Sequence, residues 1–301
     1  EILPMEQFNQ GWGSILYRTV IPQDIKGGVL KITEVHDWAQ VYADGKLLAR
    51  LDRRHREFTT KLPVLKKGTQ LDILVEAMGR VNFGWSIHDR KGITEKVEVI
   101  TDGISTPLSN WSVYNLPVDY SFNRRMKYQK SVPQTMPAYY KATFKLDETG
   151  DTFLDMSTWG KGMVWVNGHA IGRFWEIGPQ QTLYMPGCWL KKGRNEIIVL
   201  DLKGPQKAII SGLSKPILDM LRKKEPETHR KEGQNLNLTG EKVIMHGQFT
   251  QGNGWQSIKF PTFAEGRYFC LESLSSFDGK LVSAIAELDV LGSDGKPISR
   301  D

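Results

Sequence analysis

His36, His55, His88, His169, His229 and His246 are the chain's readiest metal ligands and proton carriers. They are scattered, and no two have the close spacing by which a helix turn or a hairpin brings two ring nitrogens onto one ion. Nucleophilic chemistry fares no better. No Gly-x-Ser-x-Gly elbow, glycine-rich phosphate loop or Cys/His pair in a recognisable context is present, so acyl-transfer and nucleotide chemistry drop out. Glycoside hydrolysis needs two carboxylates facing one sugar, about 5–5.5 Å apart for retention. The chain has 34 acidic residues, mostly in turns or beside basic partners, as Asp52 and Glu57 are, and nothing singles out a pair. No catalytic residue, metal or cofactor is expected in this chain, and alone it is expected to be inactive.

Aromatic residues make the better case, for binding. Sugars stack their apolar faces on aromatic rings and donate hydroxyls to flanking polar groups. Of nine tryptophans, Trp85 in Gly79-Arg80-Val81-Asn82-Phe83-Gly84-Trp85 and Trp175 in Ile171-Gly172-Arg173-Phe174-Trp175 lie next to glycine-rich turns. Trp38, Trp111, Trp165 and Trp189 read as core or as packing between modules. For Trp85 and Trp175, packing against another domain stands ahead of sugar contact, and both readings stay open. Arg80 and Arg173 sit beside glycines, where a guanidinium fork can satisfy several carbonyls or clamp a neighbouring domain. Arg80, Asn82, Trp85, Arg173 and Trp175 are therefore the candidate contact residues, toward a sugar or toward a neighbouring domain.

The scaffold that must position them repeats. Tyr17-Arg18-Thr19 lines up with Tyr140-Lys141-Ala142, and Val41-Tyr42-Ala43-Asp44-Gly45 with Val164-Trp165-Val166-Asn167-Gly168, both at an offset of 123. Arg50 then matches Arg173. Leu65-Lys66-Lys67-Gly68 matches Leu190-Lys191-Lys192-Gly193, and Ile73-Leu74-Val75-Glu76 matches Ile198-Val199-Leu200-Asp201, at an offset of 125, as if two residues were inserted. Each copy alternates short Val, Ile, Leu, Tyr and Trp runs with Gly, Pro, Asn and Asp punctuation, the pattern of strands and turns. Asp44-Gly45 and Asn167-Gly168 read as tight hairpin turns that need positive φ. The expected fold is all-β: tandem jelly-roll β-sandwiches over 1–104 and 105–221, a charged linker over 222–234, and a partial third β module over 235–301. Strands are expected there at 255–260, 267–272 and 285–290, too few to close a sandwich independently.

Composition narrows the class further. At 301 residues and 40% hydrophobic content the chain can furnish a core for each module. Its net charge of +6 comes partly from local clusters at 50–56 and 222–231, whose mixed signs suit solvated surface and linker. Basic residues are not interleaved with stacking aromatics on one face, so no nucleic-acid partner is expected. No apolar run approaches a membrane span, no membrane partner is expected, and residues 1–20 lack the pattern of a signal peptide. The chain begins Glu-Ile-Leu-Pro and stops just after a turn, which reads as a piece cut at both ends. Cys188 and Cys270 fall in different modules and read as buried thiols rather than a disulfide. Asn110-Trp111-Ser112 and Asn237-Leu238-Thr239 are sequons that matter only in a eukaryotic secretory pathway.

A family likeness rests on the same residues. Gly11-Trp12-Gly13-Ser14-Ile15-Leu16-Tyr17-Arg18-Thr19, Gly79-Arg80-Val81-Asn82-Phe83-Gly84, Lys161-Gly162-Met163-Val164-Trp165-Val166-Asn167-Gly168, Gly172-Arg173-Phe174-Trp175 and Gly178-Pro179-Gln180-Gln181-Thr182-Leu183-Tyr184-Met185-Pro186 resemble the non-catalytic portion of glycoside hydrolase family 35 β-galactosidases. The resemblance implies a retaining β-galactosidase whose acid/base and nucleophile glutamates lie on an N-terminal (β/α)8 barrel, preceding the stretch that begins here. It implies galactose-binding-like jelly rolls that pack against that barrel and each other, so the barrel of the same polypeptide and galactoside glycans are the expected partners. The five candidate residues become carbohydrate-binding or barrel-docking candidates. A periplasmic, secreted or lysosomal location is implied by the resemblance alone. Residues 233–301 resemble part of a discoidin-type (coagulation factor 5/8 C) module, with 267–271 and 285–290 as later strands.

Overall fold

In the computed structural model, which describes residues 1–84, 87–130, 136–222, 242–252, 254–263, 265–266, 269–277, 279 and 288–298, the chain divides into two units, Glu1–Arg230 and Lys231–Asp301. The first unit holds both copies of the repeat. Its strands run β1 (Ser14–Val20), β2 (Gly28–His36), β3 (Trp38–Ala43), β4 (Lys46–Asp52), β5 (Thr59–Leu62), β6 (Gln70–Glu76), β7 (Gly92–Thr101), β8 (Ile104–Pro107) and β9 (Ser112–Leu116). A one-turn helix, α1 (Tyr120–Asn123), leads into β10 (Ala138–Leu146), β11 (Thr152–Asp155), β12 (Lys161–Val166), β13 (His169–Trp175), β14 (Thr182–Met185), β15 (Gly193–Asp201) and β16 (Gly212–Leu213). The fold is the expected one: antiparallel sheets faced in pairs. The first sandwich pairs the sheet β4-β3-β6-β1-β9 with β5-β2-β7-β8, and the second pairs β13-β12-β15-β10 with β14-β11-β16.

The duplication is visible in the topology. The order β4-β3-β6-β1 is reproduced as β13-β12-β15-β10, and a bulge between Val41 and Tyr42 recurs between Val164 and Trp165. Both predicted hairpins form, with φ of 45° and 76° at Asp44 and Gly45 and 49° and 89° at Asn167 and Gly168. In each, the side chain after the strand caps the neighbouring one: Gln70 N–H donates to Asp44 Oδ1 (2.8 Å) and Glu196 N–H to Asn167 Oδ1 (3.0 Å). That last equivalence corrects the repeat. Gln70 and Glu196 are 126 apart, and Tyr17 faces Ile73 where Tyr140 faces Val199, so β6 and β15 correspond at 126 and not 125. A one-residue slip exchanges the faces of a strand. Ile73 therefore matches Val199, both in their own sandwich cores, and Ile198 points outward.

Two other expectations change. β9 lies beyond the expected boundary at 104/105, yet it pairs with β1 from Ser14↔Leu116 to Arg18↔Ser112 and extends the first sandwich to Leu116. The offset located equivalent strands and carried no information about the seam between them. Cys188 and Cys270 are free but exposed, not buried. In the second unit, residues 255–260 have no ladder partner among the described residues and Trp255 is 72% exposed, so the expected strand is not formed there. A strand needs a neighbour, and the bridge Leu291↔Pro297 is the pairing found among that unit's described residues. The other two expected strands and the linker beyond residue 222 lie wholly or partly outside the described residues.

Candidate functional site

The candidate motif 79–84 leaves the sheet at the end of β6, and its backbone groups need other partners once the ladder stops at Glu76. Ala77 N–H donates to Gly13 O (2.9 Å) and Ala77 O accepts from Arg173 Nη1 (2.9 Å). Met78 N–H donates to Asp37 Oδ2 (2.7 Å), Gly79 O accepts from Lys91 Nζ (3.0 Å), and Val81 N–H donates to Asp89 Oδ2 (3.0 Å). Apart from the Gly13 carbonyl, side chains thus replace the missing sheet partner along 77–81. Arg80 closes the base of this arm: its fork donates to Asp89 O (2.9 Å) and Gly11 O (2.7 Å) and pairs with Glu6 (2.6 Å).

Beneath the arm lies a buried ionic cluster. The fully buried Lys91 ammonium bonds Asp37 Oδ2 and Asp89 Oδ2, each at 2.7 Å, and Arg53 Nη1 reaches the other oxygens of the same carboxylates at 2.7 and 2.6 Å. Two carboxylates and two cations balance, which is how charges survive burial. Burial pushes the Asp89 carboxyl up, but Lys91, Arg53 and the Val81 N–H outweigh it and hold the group at about 2. Both carboxylates are closed from solvent and clamped by cations. Asp201 is the opposite case. Burial pushes its carboxyl up, against N–H donors from Gly160, Lys203 and Gly204, yet it too is fully buried and sealed by backbone. Neither arrangement offers a sugar the exposed acid and nucleophile that hydrolysis requires. No group of His, Cys, Asp or Glu suited to a metal occurs among the described residues.

The second cluster is the seam between the sandwiches. Trp38 of β3 and Leu74 of β6 meet Met163, Trp165, Ile198, Leu200 and Leu202 of the second sandwich. Into this apolar joint Lys161 brings a buried ammonium. It pairs with Glu76 and lies 5.5 Å from the Trp38 ring centroid and 4.3 Å from that of Trp175. Arg54, itself paired with Asp52 (2.7 Å), stacks on Trp175 at 4.1 Å.

Of the sequence candidates, Arg173 and Trp175 lie within β13 rather than in a turn, and both face the first sandwich. Gly172 misled because glycine in a strand imitates turn punctuation; its φ is 150°. Arg80 and the exposed Asn82 share the arm, and Trp85 lies outside the described residues. Sequence reading passed over Lys91, Asp37, Asp89, Arg53 and Lys161. Lys91 and Asp89 stand in His88-Asp89-Arg90-Lys91, which reads as solvated charge, and only tertiary contact sets them apart.

Two jelly-roll sandwiches fused through a buried joint, with an anchored arm, define an all-β module. Residues 3–117 match the family model described as "Beta-galactosidase, first all-beta domain", and residues 137–195 match "Beta-galactosidase, galactose-binding domain". The chain carries these two non-catalytic domains of the β-galactosidases. It is 40% identical over 216 residues to human "Beta-galactosidase-1-like protein 2", covering 68% of this chain and 32% of that protein. A "Beta-galactosidase" of Xanthomonas manihotis is 38% identical over 183 residues (60% and 29% covered), and that of Bos taurus 32% identical over 253 (73% and 37%). The chain spans about a third of the length of these relatives. Among solved structures, a Pleurotus ostreatus lectin in complex with GalNAc aligns over 64% of this chain and 70% of its own at 11% identity, with a TM-score of only 0.27.

Proposed function

We propose that this region stabilises and orients the catalytic barrel of a retaining β-galactosidase, an enzyme that removes terminal β-D-galactose, with the arm and the residues after it directed toward the barrel. The observation that carries the reading is the anchored arm inside a matched β-galactosidase domain. Its base is fixed by buried charge, while Phe83 and Ile87 stand 89% and 57% exposed. Large apolar side chains held out on a rigid base fit an intramolecular docking surface. Deleting residues 1–221 from the parent enzyme tests it through kcat/KM on a chromogenic galactoside: a loss of tenfold or more is expected, on the order of 1.4 kcal/mol, and full activity without the region would sink the reading.

The alternative is an independent carbohydrate-binding module recognising β-galactosides. Trp175, its best stacking platform, already has Arg54 and Lys161 over its ring, which weighs against it. Heat released on titrating the region with β-galactosides at millimolar concentration would favour the module instead.

A further inference from the structure

From the way the two sandwiches meet, we infer that the galactose-binding domain positions the arm of the first all-beta domain, through Arg173 and Lys161. Both residues reach across the seam to the two consecutive positions at which β6 becomes the arm. Lys161 pairs with the Glu76 carboxylate, the last residue of the ladder, and Arg173 donates to Ala77 O, the first carbonyl beyond it. All four participants are held in place. Glu76 and Lys161 are buried, Ala77 is 2% exposed, and Arg173 sits in mid-strand, where β13 pairs it with Met163 of β12. From Met78 onward the anchors change owner, because Asp37, Lys91 and Asp89 all belong to the first sandwich. The course of the arm is therefore set jointly, and the second domain controls the residue at which it leaves the sheet.

The chemistry at that residue makes the control specific. A buried carbonyl without a donor is costly, so removing the guanidinium leaves Ala77 O to find another partner by moving. The apolar contacts of the seam, among Trp38, Leu74, Met163, Trp165, Ile198 and Leu200, survive the loss of one hydrogen bond. Arg173 and Lys161 are positioning residues: nothing here places them against substrate, and their effect on the barrel rests on the function proposed above.

The test is Arg173→Met in the full-length protein, with Arg173→Lys as the conservative variant, read by hydrogen exchange over residues 77–84 and by steady-state kinetics on a galactoside. Exchange in 77–84 is expected to rise about tenfold or more in Arg173→Met, with the seam strands β12 and β15 unchanged, and to return most of the way in Arg173→Lys, whose ammonium can still donate to Ala77 O. Lys161→Met gives a second reading, but it strands the Glu76 carboxylate and costs more stability, so Arg173→Met decides. Unchanged exchange in 77–84 would overturn the inference. Raised exchange with unaltered kcat and KM would uphold the coupling between the domains and count against the barrel-orienting function, so the two failures are separable.

Discussion

Lys91 is the residue on which the arm depends most. Its ammonium is the shared partner of Asp37, Asp89 and the Gly79 carbonyl. Lys91→Met would remove the ammonium that two buried carboxylates share with Arg53, and a loss of roughly 3–5 kcal/mol by urea unfolding is expected, the usual result of breaking a buried pair from one side. Asp89 adds a pH signature. Its folded-state value of about 2 lies below that of an unfolded aspartate, near ~3.9. The stability it contributes is therefore complete above that unfolded value and is lost as pH falls toward about 2. Asp89→Asn should be markedly less stable than wild type at pH 6, and the gap should narrow below pH 4; a gap independent of pH would refute the assignment of charge. None of this could be read from the sequence. The partners lie at positions 37, 53, 79, 89 and 91, and a lysine flanked by Asp89, Arg90 and Gly92 looks like any surface charge.

At the scale of strands, most of the design was legible, because hairpin turns and hydrophobic runs are local signals. Asp44-Gly45 and Asn167-Gly168 need positive φ, and they have it. The register of β15 was not legible. Ile197, Ile198, Val199 and Leu200 form an unbroken apolar run, since the inner face fills a core and the outer face fills the seam, and a run without alternation does not reveal its faces. Strand pairing inside the second sandwich explains Gly162, where β12 passes its sheet neighbour β15 so closely that an added Cβ would lie 1.8 Å from Leu200 O. Gly162→Ala is expected to destabilise by roughly 1–3 kcal/mol through forced backbone shift. Gly45→Ala meets no neighbouring atom and is opposed by its φ of 76° alone, so a thermal melt that ranked Gly45→Ala as the worse of the two would contradict the close approach.

Over the whole molecule, the seam turns two copies of one sandwich into a single body. The first copy has lost nothing of the shared sheet order and gained β9, whereas the second offers the first its Trp165, Ile198 and Leu200 face and the Lys161 ammonium. Such a body suits the service of a neighbouring domain, because a rigid support transmits position where a flexible one does not. The domain matches and the buried joint are features of this chain, and the barrel is the partner they are proposed to serve. Calorimetric unfolding of the parent enzyme with and without residues 1–221 tests that service most directly. The barrel's transition is expected to fall by at least about 5 °C when the region is removed, the size of a loss of a few kcal/mol in a domain of this class; an unmoved transition would contradict a stabilising role.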